Sequence, residues 1–586
     1  MNILVFLVLA IAAFMLAQRV YGAYVARRLG VDAAHPTPAC VKNDGRDFVP
    51  SKRHVVFAHH FSAIAGAGPI LGPTMAILYG FVPAWLWVVI GGIFIGAVHD
   101  FTALFVSARE QGKSIAEVAR QTLGRQGAFL FILFTTTMIM LVNASFLSAV
   151  TTSLTSIWPV DKLALAPDQT FLKTVDVNGV AFGRIGGIAS TSVLIITLFS
   201  PILGWLMYKR GISKLPAYLL ASAVCIGSIL MGIKFPIILS STHWLILISI
   251  YVLFASSTPV WVILQPRDFI NVQILYAGIG LLVCSIMVAG GQGTTLSMPS
   301  FNIEEGVKNL GLLWPMMFIT IACGAISGFH SLVSSGTTVK QISSETDTRA
   351  IGFNAMLLES LLAVCVLVAV GVGLTFDDYK SIVWTVAEGQ KSNPILAFSL
   401  ASGHLYHNAL GIPIALGTVF GVLLVEGFVI TTLDAAVRLN RYLFEELWAM
   451  LFKETPAMLR NHWVNSCLAV LCMLVLSYTN AFTALWPAFG AANQLLAALT
   501  LIVVTAWLLM KGRTFLFALI PAVFMIITTL ASVSLLLNNY LHKGQYVLAV
   551  FALLMLALSA GVIALAISKV VLPAVRGNLA RESGNA

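Results

Sequence analysis

Ionisable side chains are rare within the apolar stretches of this chain, and the few that occur there are the residues equipped for chemistry. Asp100, preceded by His99, lies in one such stretch, Glu359 in another, and Glu426 and Asp434 in a third. An ionisable group at membrane depth is costly and is a functional candidate by default. Burial disfavours the charged form of a carboxylate, so Asp100, Glu359 and Glu426 can take up and release a coupling ion, first of all a proton. The competing role for each is structural, bonded to hydroxyls or backbone. Asp434 precedes Arg438 by four residues, which predicts an i, i+4 ion pair. His60 and His330 belong to the residue type that titrates near physiological pH, while His59 projects from another face than its neighbour.

Three stretches combine polar side chains with helix-breaking residues. In His59–Pro73, three glycines and two prolines fall within eight residues, Gly66 to Pro73. They remove intrahelical hydrogen bonds and favour an unwound centre, tolerated in lipid only where it lines a cavity or is covered by protein. Close helix packing through small residues is the competing explanation. The GAGPILG spacing does not match a phosphate-binding loop, and no strand precedes it. His59, His60, Gly66, Gly68 and Gly72 are therefore candidate substrate-binding residues. The second stretch, Phe254–Trp261, adds Ser256, Ser257 and Thr258 around Pro259; a plain proline kink competes there. The third, Gly324–Thr338, places Ser331 and Ser334 beside His330, with Ser335 one turn beyond Ser331. These hydroxyls can hold a small cation or join helix to helix.

The elements that must position these residues follow from composition. Of 586 residues, 59% are hydrophobic and 10% charged, too few charges to cover a soluble surface of that size. About fifteen apolar runs are long enough to span a bilayer, among them 54–79, 242–264, 270–290, 313–337 and 407–436. Of 34 Lys and Arg, 25 fall in one alternate set of loops and 8 in the other. The positive-inside rule makes the richer set cytoplasmic, with the N-terminus outside and the C-terminus inside. The net charge of +10 is thus a topology signal and a contact with anionic lipid, and nucleic acid is not a partner. The first helix lacks a basic n-region and reads as uncleaved. Segments 114–124 and 437–462 read as amphipathic surface helices. Six of the seven cysteines lie in apolar stretches without metal-ligand spacing, so neither a disulfide framework nor a zinc site is expected.

Five spans separate the break at 59–73 from that at 254–261, and an odd-numbered unit repeated in tandem inverts. Residues 54–233 and 242–436 are therefore expected to form two inverted five-helix repeats. The expected fold is an all-α polytopic membrane protein with a LeuT-like (APC-type) core and extra N- and C-terminal helices, its site at the midplane.

HHFSAIAGAGPILGP, GAVHDF (96–101), ISGFHSLVSSGTT, the run from Glu345 to Ser360, and LWPAFGAANQLLA (485–497) resemble the carbon starvation protein A (CstA) family over residues 1 to about 570. His99 stands where that pattern leads one to expect glutamine. The resemblance implies an inner-membrane secondary transporter of short peptides or, in some members, pyruvate, with a transporter region over 1–380 and a five-helix C-terminal part over 394–570. It names no substrate ligands. The expected activity is symport with H⁺, or Na⁺ if coupling is not protonic, in a bacterial inner membrane. No cofactor, metal or enzymatic activity is expected. Two rivals from other classes are a membrane enzyme using His59 and His60, which lacks an HExxH motif, and a peptide-binding starvation sensor.

Overall fold

The computed structural model describes residues 2–44, 48–166, 169–177, 179–259, 261–384 and 391–573. Its apolar runs are helices, because in lipid each backbone N–H must find its partner within its own segment. In chain order the main helices are α1 (Ile3–Arg19), α2 (Arg53–Ile64), α3 (Gly68–Ala76), α4 (Phe81–Gly91), α5 (Ala97–Arg109) and α6 (Ile115–Leu154). There follow α7 (Ile185–Tyr208), α8 (Lys214–Lys234), α9 (Ser241–Ser257), α10 (Leu264–Gly291), α11 (Phe329–Gly336) and α12 (Asn354–Gly373). The last third holds α13 (Pro394–Leu410), α14 (Ile414–Leu451), α15 (His462–Thr479), α16 (Phe482–Met510), α17 (Leu516–His542) and α18 (Tyr546–Ala566).

Twelve helices of the described residues are long and apolar enough to cross a membrane, or thirteen when the bent pair α2–α3 counts as one span. Two of the expected fifteen do not meet that criterion. The stretch expected as a span at 242–264 stops being helical at Ser257, and that at 313–337 is divided among short helical pieces. The proposed surface helix at 437–462 is corrected too, since α14 runs unbroken from Ile414 to Leu451. Nothing in that sequence stops a helix before Phe452, where the backbone turns extended. Segment 114–124 likewise continues into the next span as α6. Ser114 caps its start by accepting from Glu117 N–H, and Gly124 kinks it with φ +80°.

The long loop 158–187 carries a small antiparallel sheet, β1 (Trp158–Pro159), β2 (Thr174–Val177) and β3 (Val180–Gly183), in the order β1-β3-β2. Glycines set several helix contacts. A Cβ on Gly403 would lie 2.5 Å from Thr418 Oγ1, and one on Gly421 would lie 2.8 Å from Ser399 Cα. The antiparallel α13–α14 hairpin therefore closes to a separation that larger residues forbid.

Two spans are interrupted inside the protein. The first bends by 46° between α2 and α3, at Ala65–Ala67 within the expected break over 59–73. The second runs from Leu313 to Lys340 and loses helical structure between Thr320 and Phe329. The expected break at 254–261 is instead a helix end, with α10 starting afresh at Leu264; Val260 lies outside the described residues.

Candidate functional site

The two interruptions lie against each other. A Cβ on Gly68 would sit 2.3 Å from Cys323 Sγ, and one on Gly72 would sit 2.9 Å from the Thr320 carbonyl. Gly68 and Gly72 are thus packing glycines within α3, and the unwound backbone is confined to Ala65–Ala67. There Gly66 N–H donates to Ile64 O at 2.7 Å, and Thr432 Oγ1 of α14 would meet a Gly66 Cβ at 2.8 Å.

Backbone groups freed at the second interruption are taken up by side chains of α16. Asn493 Nδ2 donates to Ala322 O at 2.9 Å, while its Oδ1 accepts from Phe329 N–H at 3.0 Å. Gln494 Nε2 donates to Phe318 O and Ile321 O at 2.7 and 3.0 Å, and Trp486 Nε1 donates to Thr320 O at 3.1 Å. This is the partnering that non-helical backbone needs at membrane depth. It also fixes the start of α11, and with it His330.

His330 lies between two acids. Its Nδ1 is 2.7 Å from Asp100 Oδ2 and its Nε2 is 3.2 Å from Glu359 Oε2, all three side chains fully buried. The contact with Glu359 is an ion-pair approach without hydrogen-bond alignment, and both Glu359 oxygens are left without a donor. Asp100 Oδ1 meets His99 Nδ1 at 2.7 Å. Backbone packing places the acids on one site: a Cβ on Gly352 would touch Phe101 Cα at 2.8 Å. Glu359 lies on α12, which continues directly from the π-helical turn Arg349–Phe353 that carries Gly352. An imidazole with a carboxylate at each nitrogen can accept a proton on one side and release it on the other.

Of the other expected site residues, His60 is fully buried near this group, with Nδ1 2.8 Å from Thr338 Oγ1 and Nε2 unpartnered. His59 points away and is exposed. Ser331 and Ser335 donate to the Gly328 and Ser331 carbonyls, both at 2.7 Å, whereas the buried Ser334 hydroxyl has no partner. Glu426 stands apart on α14, buried, with neither oxygen hydrogen-bonded.

Ser256, Ser257 and Thr258 form the end of α9, where two arginines cap the helix. Arg438 Nη2 donates to Ala255 O and Thr258 O at 2.6 and 2.7 Å, and Arg441 Nη1 donates to Ser256 O at 2.9 Å. The expected Asp434–Arg438 pair is therefore corrected. Asp434 pairs with Arg267 at 2.8 Å, with both side chains buried, and accepts from the Tyr251 hydroxyl at 2.5 Å. The helix end offers Arg438 two carbonyls, which outcompetes one carboxylate a turn away.

Sequence reasoning missed Arg267 and Asp268 by assigning 265–269 to a loop. The available signal was Pro266, which suits the first turn of a helix and does sit in the first turn of α10. Asp268 lines a small cavity of about 20 Å³, room for about one water-sized occupant, together with Ser62, Asn271, Thr431 and Thr432 and with apolar Leu275, Leu424 and Phe428. It lies beside the Gly66 break, since Thr432 touches both. Asn493 and Gln494 belonged to a quoted block, but two amides among apolar residues do not reveal which backbone they stitch. Among the described residues no group of His, Cys, Asp and Glu is arranged to hold a metal ion.

A polytopic helical fold, two interrupted spans in contact, and a buried acid–histidine–acid chain describe a membrane transporter. Comparison with known proteins agrees. The model of "Carbon starvation protein CstA" matches residues 2–387 and 374–532. A peptide transporter CstA of Bacillus subtilis is 30% identical, covering 97% of each chain, and one of Campylobacter jejuni is 30% identical over 89% of this chain and 78% of its own. The pyruvate/proton symporter BtsT of Escherichia coli is 28% identical, over 89% of this chain and 80% of its own. Among solved structures, a mutant manganese transporter of Eremococcus coleocola aligns with 91% of this chain and 99% of its own at 12% identity and a TM-score of 0.46. The chain belongs to the CstA family; it is a multi-pass membrane transporter, not an enzyme.

Proposed function

We propose that this transporter is a proton symporter that imports short peptides across a bacterial inner membrane, with pyruvate as the second candidate substrate. The observation that carries the reading is His330, with a carboxylate at each ring nitrogen. In this scheme the proton passes from Asp100 or Glu359 through the imidazole. The unwound Ala65–Ala67 segment and His60 contribute polar groups toward the substrate, as half-helix ends do in broken-helix transporters. Relatives named as peptide transporters and as a pyruvate/proton symporter support both substrate classes.

Alternating access fits an inverted-repeat, LeuT-like core. Its two halves are residues 54–233 and 242–436, and five helices in each make the second inverted relative to the first. The N-terminus is then outside and the C-terminus cytoplasmic, as the basic loops require. Peptide and pyruvate uptake into proteoliposomes with an imposed pH gradient tests the reading. Acceleration of peptide uptake by the gradient supports it, and uptake unchanged when the gradient is collapsed contradicts proton coupling.

One observation favours sodium as a second reading. The small cavity beside the Gly66 break sets the Asp268 carboxylate and the side-chain oxygens of Ser62, Asn271 and Thr431 around a space the size of a single ion, with Leu275, Leu424 and Phe428 completing its wall. An absolute sodium requirement, lost in Asp268→Asn, would select it.

A further inference from the structure

A wide cleft lies away from the acid–histidine chain, between α6, the end of α14 and α18. Its volume is about 650 Å³, and Phe129, Leu130, Met450, Gly561 and Leu565 make its walls apolar, with Arg125 at the rim. That volume lies within the range of about 300–1,000 Å³ that small-molecule sites span. Three of the walls belong to helices that pass the membrane-span criterion, so the cleft opens where lipid chains run. Gly561 lets α18 approach α6, since a Cβ there would meet Leu130 Cδ1 at 2.7 Å.

The rim is built from positive charge. Gly124, at φ +80° and ψ −179°, interrupts α6 in a conformation reserved for glycine. Its missing side chain leaves room for Lys569, whose Nζ would lie 2.8 Å from a Gly124 Cβ and donates to Leu123 O at 2.9 Å. The next residue is Arg125. Its Nη2 donates to Met450 O at 3.1 Å, which leaves its other N–H groups for a ligand. Arg125 thus lines the apolar cleft and Lys569 lies against the neighbouring Gly124, at the helix ends that the basic-loop pattern places on the cytoplasmic side. Basic pockets between spans on that side suit anionic headgroups.

We propose that this cleft binds one anionic glycerophospholipid of the cytoplasmic leaflet. Its phosphate sits on Arg125 and Lys569, and an acyl chain fills the space against Phe129, Leu130 and Leu565. The proposal is independent of the transport reading, because none of these residues touches the His330 group.

Native mass spectrometry of the detergent-purified full chain, titrated with phosphatidylglycerol or with phosphatidylcholine of the same acyl composition, tests it. The expected result is one phosphatidylglycerol bound in preference to phosphatidylcholine. Arg125→Gln should weaken it about fivefold, and Ala564→Phe, which fills the cleft, should abolish it. Arg125 and Ala564 are both exposed, and thermal unfolding without lipid verifies that each variant retains the parent fold. Equal binding of the two lipids overturns the proposal, as does wild-type phosphatidylglycerol binding in either variant. Lys569→Gln provides a second rim variant with the same expected loss.

Discussion

In the proposed cycle His330 does what no single carboxylate can, because its two nitrogens face different acids. His330→Gln keeps a polar side chain of similar size but cannot accept a proton at one end and release it at the other. Gradient-driven uptake should fall about a hundredfold, the low end of what a positioned proton carrier contributes, while substrate binding by thermal shift persists. Glu359→Gln should leave exchange of bound for free substrate intact but remove its response to the pH gradient; an intact response would assign the proton elsewhere. The Arg267–Asp434 pair carries a different prediction. Removing one partner strands a buried charge, so Asp434→Asn should destabilise the protein by about 3–5 kcal/mol. Arg267→Met with Asp434→Leu should recover most of that loss in detergent unfolding. The sequence made Asp100, Glu359 and His330 visible one at a time, because charge is conspicuous in apolar runs. Their meeting was not legible, since residues 230 positions apart are joined by helix packing at Gly352 and not by any local pattern. Asp434 misled because Arg438 was close in sequence while Arg267, 167 positions away, was closer in space.

At the scale of elements, the interrupted spans depend on partners. Asn493 holds both sides of the second interruption, so Asn493→Ala should leave the Ala322 carbonyl and Phe329 N–H without partners. Each buried group stranded costs about 1–3 kcal/mol. Hydrogen exchange at 320–330 should therefore rise while α6 and α14 remain protected; unchanged exchange would show that α16 does not hold the break. Outside the spans, short helices at Ile303–Leu310 and Phe376–Val383 are tied by Lys380–Glu305, and the latter to the Asp161–Leu163 turn by Lys162–Asp378. The Lys380 hydrogen bond holds the Glu305 carboxyl below its ordinary value. For Asp378, partial burial pushes upward, but the Lys162 contact outweighs it and the net shift is downward. A carboxyl depressed on folding contributes stability above its unfolded pKa, lost as pH falls through the folded one. Limited proteolysis of these loops should therefore be constant near neutrality and accelerate only as pH drops below about 4; acceleration between pH 8 and 6 would contradict the assignment. The break at 59–73 was legible from its glycines and prolines. That at 320–329 was legible only in part, as the stretch 324–338, because its unwinding is imposed by α16. The 254–261 stretch carried the same local signals, yet there Arg438 and Arg441 end a helix.

For the whole molecule, the alternation of basic and apolar segments was enough to predict an all-α polytopic chain. The number of qualifying helices fell short of fifteen because two predicted spans are short or interrupted. What makes the fold a machine is that Asp100, Glu359, His330 and both interruptions occupy one region. The measurement that tests this most directly is substrate-driven proton entry into proteoliposomes carrying a pH-sensitive dye. Adding a short peptide outside, with no imposed gradient, should acidify the lumen for the wild type and leave it unchanged for His330→Gln, although that variant still binds the peptide. Equal acidification in the two, or peptide accumulation by the wild type without any proton entry, would contradict a relay through His330.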